Sequence, residues 1–183
     1  MADTSLFDKS ILPEIELPEG YTLRPLSSGD YQRGAVEVLK VLTTVGDFTE
    51  ELYRERFDYW FKHNDTYYTI VVLNANDKVV GIGTLMIERK LIHQAGLTGH
   101  IEDIVIAESE QGKKLGLKII NSLSAISKAV GCYKVTLVCS DHNVEFYKKC
   151  GFKKGTNEMV SVSKADGLPL DILLQRVTHE VIC

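Results

Sequence analysis

Residues 99–117, GHIEDIVIAESEQGKKLGL, constrain the fold more than any other stretch of the chain. An apolar run carrying an acidic pair passes through a short polar link into a lysine-bearing glycine turn that opens a helix. Leu115, Ile119, Leu123, Ile126 and Val130 recur at helical spacing, and Gly131 falls where a left-handed C-terminal cap is expected. A strand delivered to a helix N-terminus leaves backbone N–H groups beside a partial positive charge, which is a cradle for phosphates. The turn has neither the GxxxxGK[ST] nor the GxGxxG spacing, so it favours neither ATP nor NAD. An ordinary glycine-containing helix start with two solvated lysines is the other reading of the same residues.

Around this unit the periodicities predict a mixed sheet. A strand near 21–24 precedes a helix capped at Ser28 or Asp30, whose positions Ala35, Val38, Leu39 and Leu42 share one face. After a loop at 43–47, Thr49 caps a second helix with Phe48 and Tyr53 as a hydrophobic staple and Phe57, Trp60 and Phe61 as its buried stripe. Strands over 67–73 and 79–88 flank the turn-forming residues 74–78, giving a hairpin. Strands at 100–107 and 133–139, the second of buried type, enclose the long helix. A short helix and a last strand near 157–163 complete the set. Three successive strands without intervening helices argue against a doubly wound parallel sheet.

The expectation is one α/β domain over residues 20–163, with extensions at 1–19 and 164–183. In the second extension Leu170, Leu173, Leu174 and Val177 fall at helical spacing; it packs on its own domain, covers a partner subunit, or is disordered. A chain of 183 residues with 44% hydrophobic content can build one substantial core. The formal net charge of −4, without a basic run, excludes a nucleic-acid footprint. Acidic residues in the first nineteen positions fit neither a secretory signal nor a transit peptide, and no apolar stretch is long enough to span a bilayer. Cys132, Cys139, Cys150 and Cys183 lack zinc-type spacing and suit reduced cytoplasmic thiols; no metal is expected.

Asn143, Phe146, Tyr147, Gly151 and Phe152 form N-x-x-F-Y-x-x-x-G-F, and Gln111 and Gly116 fit a turn of the form [QR]-x-x-G-x-[GA] with Lys114 at its first glycine. On these residues the chain resembles the GCN5-related N-acetyltransferases. Five ordered blocks, LKVLTTVG, ERKLIH, GHIEDI, GCYK and FYKKCGF, narrow the resemblance to the branch that acetylates glucosamine 6-phosphate, over residues 20–160. It implies a single-domain acetyltransferase fold with a mixed, mostly antiparallel central sheet flanked by helices. Acetyl-CoA is the implied co-substrate, an amino-sugar phosphate the acceptor, and a homodimer, with the last strand crossing to the partner, the assembly.

The resemblance also implies residue roles. The amide of Ile104 would donate to the oxyanion, and Ile104, Val105 and Ile106 would meet pantetheine. Gly112, Lys113, Lys114, Leu115, Gly116 and Leu117 would hold the pyrophosphate. Asn143 and Tyr147 would reach pantetheine and sulfur, with the Tyr147 hydroxyl as acid for the thiolate. Thr43, Lys90, Leu91, Ile92, His93, Tyr133 and Lys134 would line the sugar-phosphate pocket, and Glu102 and Asp103 would meet the sugar hydroxyls and the amine.

Two departures stand out. The position that is acidic in the resembled enzymes, two residues after Thr136, is Val138, and Val162 stands where some relatives place a phosphate-binding arginine, with Lys164 near it. An acetyltransferase for another amine, and a non-catalytic acyl-CoA or sugar-phosphate binding module, therefore stay open.

Overall fold

The computed structural model describes residues 3–159 and 161. Its elements are β1 (Thr22–Pro25), α1 (Ala35–Leu39), α2 (Glu50–Lys62), β2 (Tyr67–Leu73), β3 (Val79–Arg89), α3 (Ile92–Ala95), β4 (Leu97–Ile106), α4 (Leu115–Ala129), β5 (Cys132–Leu137) and α5 (Val144–Lys149). The five strands lie in sequence order in one sheet. Pairing is antiparallel from β1 to β4 and parallel between β4 and β5. This is the mixed, mostly antiparallel α/β sheet that the sequence predicts.

Helix α4 covers one face. Leu115, Ile119, Leu123 and Ile126 are fully buried at helical spacing, and Gly131 ends the helix with φ +89°. The approach is close because glycines face it: a Cβ on Gly83 would lie 2.5 Å from Ile104 Cδ1 and 2.6 Å from Ile119 Cγ2. By the alternation of side chains along a strand, Ile82 points to the other face, where it packs with Leu26, Val36, Leu39, Phe57 and Trp60 from the α1–α2 side.

Residues 3–12 also join the body. Ser5 bridges Ser27, the Leu6 N–H donates to the Leu26 carbonyl at 2.8 Å, and Leu6 and Phe7 are buried, Phe7 edge-on to Tyr68.

Four local expectations need correction. The first helix starts only at Ala35, because Asp30 is engaged elsewhere: its carboxylate accepts from the Ser27 N–H, from both terminal nitrogens of Arg24 and from Arg33. Gly34, at φ +92°, then sets the helix entry. Thr49 does cap α2 through the Leu52 N–H, but Phe61 points outward while Tyr53 and Phe57 are buried. Strand β5 is not a buried strand: Tyr133 and Lys134 are exposed, because β5 is an edge of the sheet among the described residues. Of the strand expected near 157–163, the described part, 157–159 and 161, has no strand conformation. Its remainder, with Val162, Lys164 and the apolar positions Leu170, Leu173, Leu174 and Val177, lies outside the described residues.

Candidate active site

The site grows from a defect in the sheet. Ile82 pairs with Val105 and Thr84 with Glu102, so Gly83 faces two residues of β4, Asp103 and Ile104. This is a β-bulge, and Asp103 takes φ +54° within it, a conformation aspartate tolerates better than most residues. On the other side of β4, pairing with β5 ends at Ile101 and Leu137. Ile104, Val105 and Ile106 continue beyond it, their side chains buried. A strand whose partner stops short presents backbone donors and acceptors along a cleft.

From there the chain runs through the turn into α4. Gly112 has φ +80°, and a Cβ there would meet nothing within 4 Å. Lys114, also left-handed at φ +61°, occupies the N-cap position without a capping side chain. The first amides of α4 therefore face outward behind Leu115 and Gly116, which are buried, and Leu117, which is half-buried. Lys113 is engaged: its ammonium donates to the Tyr21 hydroxyl at 2.6 Å and to the Glu110 carboxylate. Lys113 and then Tyr21, both hydrogen-bonded to Glu110, hold its carboxyl below the ordinary range. The turn is thus pinned to the start of β1.

Past the end of β5, Asn143 is buried and its side-chain amide donates to Ser140 Oγ at 3.2 Å. Tyr147 is buried on α5 between Phe146 and Phe152, both edge-on to it. Val138 is 51% exposed at the mouth of this region.

Most of the expected acceptor residues extend from the point where β4 and β5 splay apart, back along the two strands. Glu102 and Asp103 sit where β4 leaves β5. Asp103 is itself exposed, yet the protein around the bulge displaces part of its carboxyl's hydration and raises its pKa above the ordinary value. The His93 ring lies 4.6 Å from that of Tyr133 and tilted 49° to it, and the Lys134 ammonium lies 5.9 Å over the same Tyr133 ring. Leu91 is wholly exposed and Ile92 largely so. The segment α3 is a left-handed turn, since His93, Gln94 and Ala95 all have φ between 52° and 58°. Thr43 is exposed just after α1, its N–H bonded to the Leu39 carbonyl.

Lys90 is not simply a pocket cation. Its ammonium pairs with one oxygen of Glu88, while the other oxygen accepts from His100 Nε2 at 2.9 Å. Lys90 and then His100 hold the Glu88 carboxyl below its usual range. His100 Nδ1 in turn lies 3.3 Å from the Thr136 hydroxyl. Glu88, His100 and Thr136 are absent from the residues expected at the site. The only trace in the sequence is strand alternation, which puts His100 on the same face as Glu102.

The acetyltransferase (GNAT) family model matches residues 34–152. The chain is 49% identical over 144 residues to glucosamine 6-phosphate N-acetyltransferase of Candida albicans, covering 79% of this chain and 97% of that one. It is 43% identical over 137 residues to glucosamine 6-phosphate N-acetyltransferase 1 of Dictyostelium discoideum, covering 74% and 87%. The crystal structure of glucosamine-6-phosphate N-acetyltransferase from Arabidopsis thaliana superposes with a TM-score of 0.73 at 36% identity, over 81% of this chain and 99% of that one. On the five-stranded sheet, the bulged β4 and these matches along most of its length, the chain belongs to the acetyltransferase (GNAT) family, among the glucosamine 6-phosphate N-acetyltransferases.

Proposed function

We propose that the protein transfers the acetyl group of acetyl-CoA to the amine of glucosamine 6-phosphate, giving N-acetylglucosamine 6-phosphate and CoA. We place this reaction in the cytoplasm, on the route to UDP-N-acetylglucosamine. The observation that carries the reading is the end of β4–β5 pairing at Ile101 and Leu137, which leaves Ile104–Ile106 beside a turn that opens α4.

In this reading the extended pantetheine arm lies along Ile104, Val105 and Ile106, and the pyrophosphate meets the amides of residues 112–117. The Ile104 amide donates to the oxygen of the reacting thioester as negative charge develops there. Asn143 helps to seat pantetheine, and Tyr147 supplies a proton to the departing thiolate. Glu102 and Asp103 orient the sugar amine. Thr43, Lys90 and the stretch Leu91, Ile92, His93, with Tyr133 and Lys134, hold the rest of the sugar phosphate. The protein acts as a homodimer, an assembly supported by resemblance and by the exposed apolar side chains of Leu91, Ile92 and Tyr133 at this end.

Val138 favours a second reading, a binding module without turnover, because valine cannot accept the amine proton. Release of free CoA thiol, measured with glucosamine 6-phosphate and a panel of other amines, separates the two. Selective turnover with the sugar phosphate is the expected result. Acetyl-CoA binding without transfer to any amine would establish the module instead.

A further inference from the structure

On the sheet face turned away from α4, three strands bring together a hydroxyl, an imidazole and a carboxylate. His100 and Thr136 are direct cross-strand partners of β4 and β5. The Thr136 hydroxyl lies between His100 Nδ1, at 3.3 Å, and the Gly99 carbonyl, at 3.4 Å, and His100 Nε2 lies 2.9 Å from Glu88 Oε2 on β3. With a carboxylate at Nε2, that nitrogen carries the ring hydrogen and Nδ1 turns its lone pair toward the hydroxyl. An acceptor group backed by a base, and the base oriented by a carboxylate, is an arrangement that moves protons. His100 is 30% and Glu88 40% exposed in their side chains, so the chain of bonds opens to solvent.

Its position ties it to the reaction. Side chains two residues apart on a strand share a face and are about 7 Å apart, so Glu102 follows His100 on β4 and Val138 follows Thr136 as the chain leaves β5. We propose that Thr136, His100 and Glu88 form the proton relay for the acceptor amine, doing at the neighbouring position what Val138 cannot do. This rests on the acetyltransferase reading. As the amine nitrogen bonds to the acetyl carbon and the carbon–sulfur bond breaks, the nitrogen gives up one proton to Thr136 Oγ, directly or through water. The hydroxyl hydrogen passes to His100 Nδ1, and the imidazolium is held against Glu88 until it loses its proton to solvent. The thiolate leaves with a proton from Tyr147, whose phenolate takes one back from solvent, so the proton released by His100 and the one regained by Tyr147 balance. The charged groups facing His100 are Glu88 and Lys90 from the end of β3, Glu102 on β4 and Lys134 on β5. Lys90 shares Glu88 with the ring, so the carboxylate balances one permanent cation and one transient one.

The test uses the full-length enzyme with Thr136→Val, Thr136→Ser and His100→Gln, measured from pH 6 to 9. Thr136→Val and His100→Gln each lower turnover near pH 7 by about tenfold or more, within the 10²- to 10⁴-fold range of positioned acid–base groups. KM for acetyl-CoA holds within about twofold, and the deficit narrows toward pH 9, where solvent takes the proton. Thr136→Ser restores turnover to within about threefold of wild type. Thr136→Val preserves shape and decides alone if His100→Gln fails to fold. Turnover of both variants within twofold of wild type, or a deficit that does not change with pH, overturns the relay. A wild-type protein that binds acetyl-CoA yet acetylates no amine overturns instead the acetyltransferase reading beneath it.

Discussion

The two ends of the cleft are built differently. At the proposed cofactor end, β3 and α4 meet through Gly81 and Gly83 over fully buried side chains, and the groups on offer are backbone amides fixed by that packing. At the acceptor end the groups are surface side chains: an exposed Leu91, a left-handed turn, an edge strand and a string of ion pairs through Glu88. A rigid end suits an invariant partner, because geometry set by the core leaves little to adjust. A surface end can change its side chains, as the exposed Val138 illustrates, without disturbing the sheet.

Substitutions that act at only one end break or sharpen this contrast. The largest effect is expected from Tyr147→Phe, which removes a hydroxyl from a buried ring. Turnover should fall by about 10²-fold or more while acetyl-CoA affinity, read by calorimetry, stays within about threefold. Equal losses in both would make Tyr147 a packing residue. Gly83→Ala comes next. Its new methyl collides with Ile104 and Ile119, and the fold should lose about 1–3 kcal/mol in urea unfolding. A neutral result would mean that the cofactor end is not rigid.

At the acceptor end, Gln94→Gly should stabilise the protein by roughly 0.5–1 kcal/mol, because it removes a side chain from a left-handed position. The same relief should raise KM for the sugar phosphate several-fold while sparing that for acetyl-CoA. The smallest effect on stability belongs to Asp103→Asn. Burial raises the Asp103 carboxyl pKa, so its ionised form costs stability above the ordinary carboxylate range and nothing below it. Because the residue is exposed and solvent screens its charge, the variant should melt only slightly higher at pH 7, by about 1 °C or less, and the gap should close as pH falls below the ordinary value near 3.8. A gap that persists at pH 3 would assign the gain to something other than charge.

The sequence shows most where one local signal decides. The 3.6-residue period of α4, the Thr49 cap and the turn chemistry of Asn74, whose side chain accepts from the N–H groups of Asn76 and Lys78, all have local causes. Reading fails where a distant partner decides. Asp30 looks like a helix cap until Arg24 and Ser27 claim its carboxylate. The bulge at Asp103 has no local signature, since aspartate is common in strand ends and turns alike. The Glu88–His100–Thr136 string joins three strands, and no spacing along a chain encodes a contact set by register across a sheet.

The seating of the N-terminal segment sets an order for folding. Leu6 bonds to Leu26, Phe7 rests on Tyr68, and among the described residues β1 pairs only with β2, so this segment cannot settle until the chain beyond Tyr68 has been made. Local structure in α2 and the β2–β3 hairpin can form first, because closing a short loop costs less entropy than closing a long one. The N-terminal segment is then the last piece to dock on that edge, and the first expected to detach when the protein is heated or pulled.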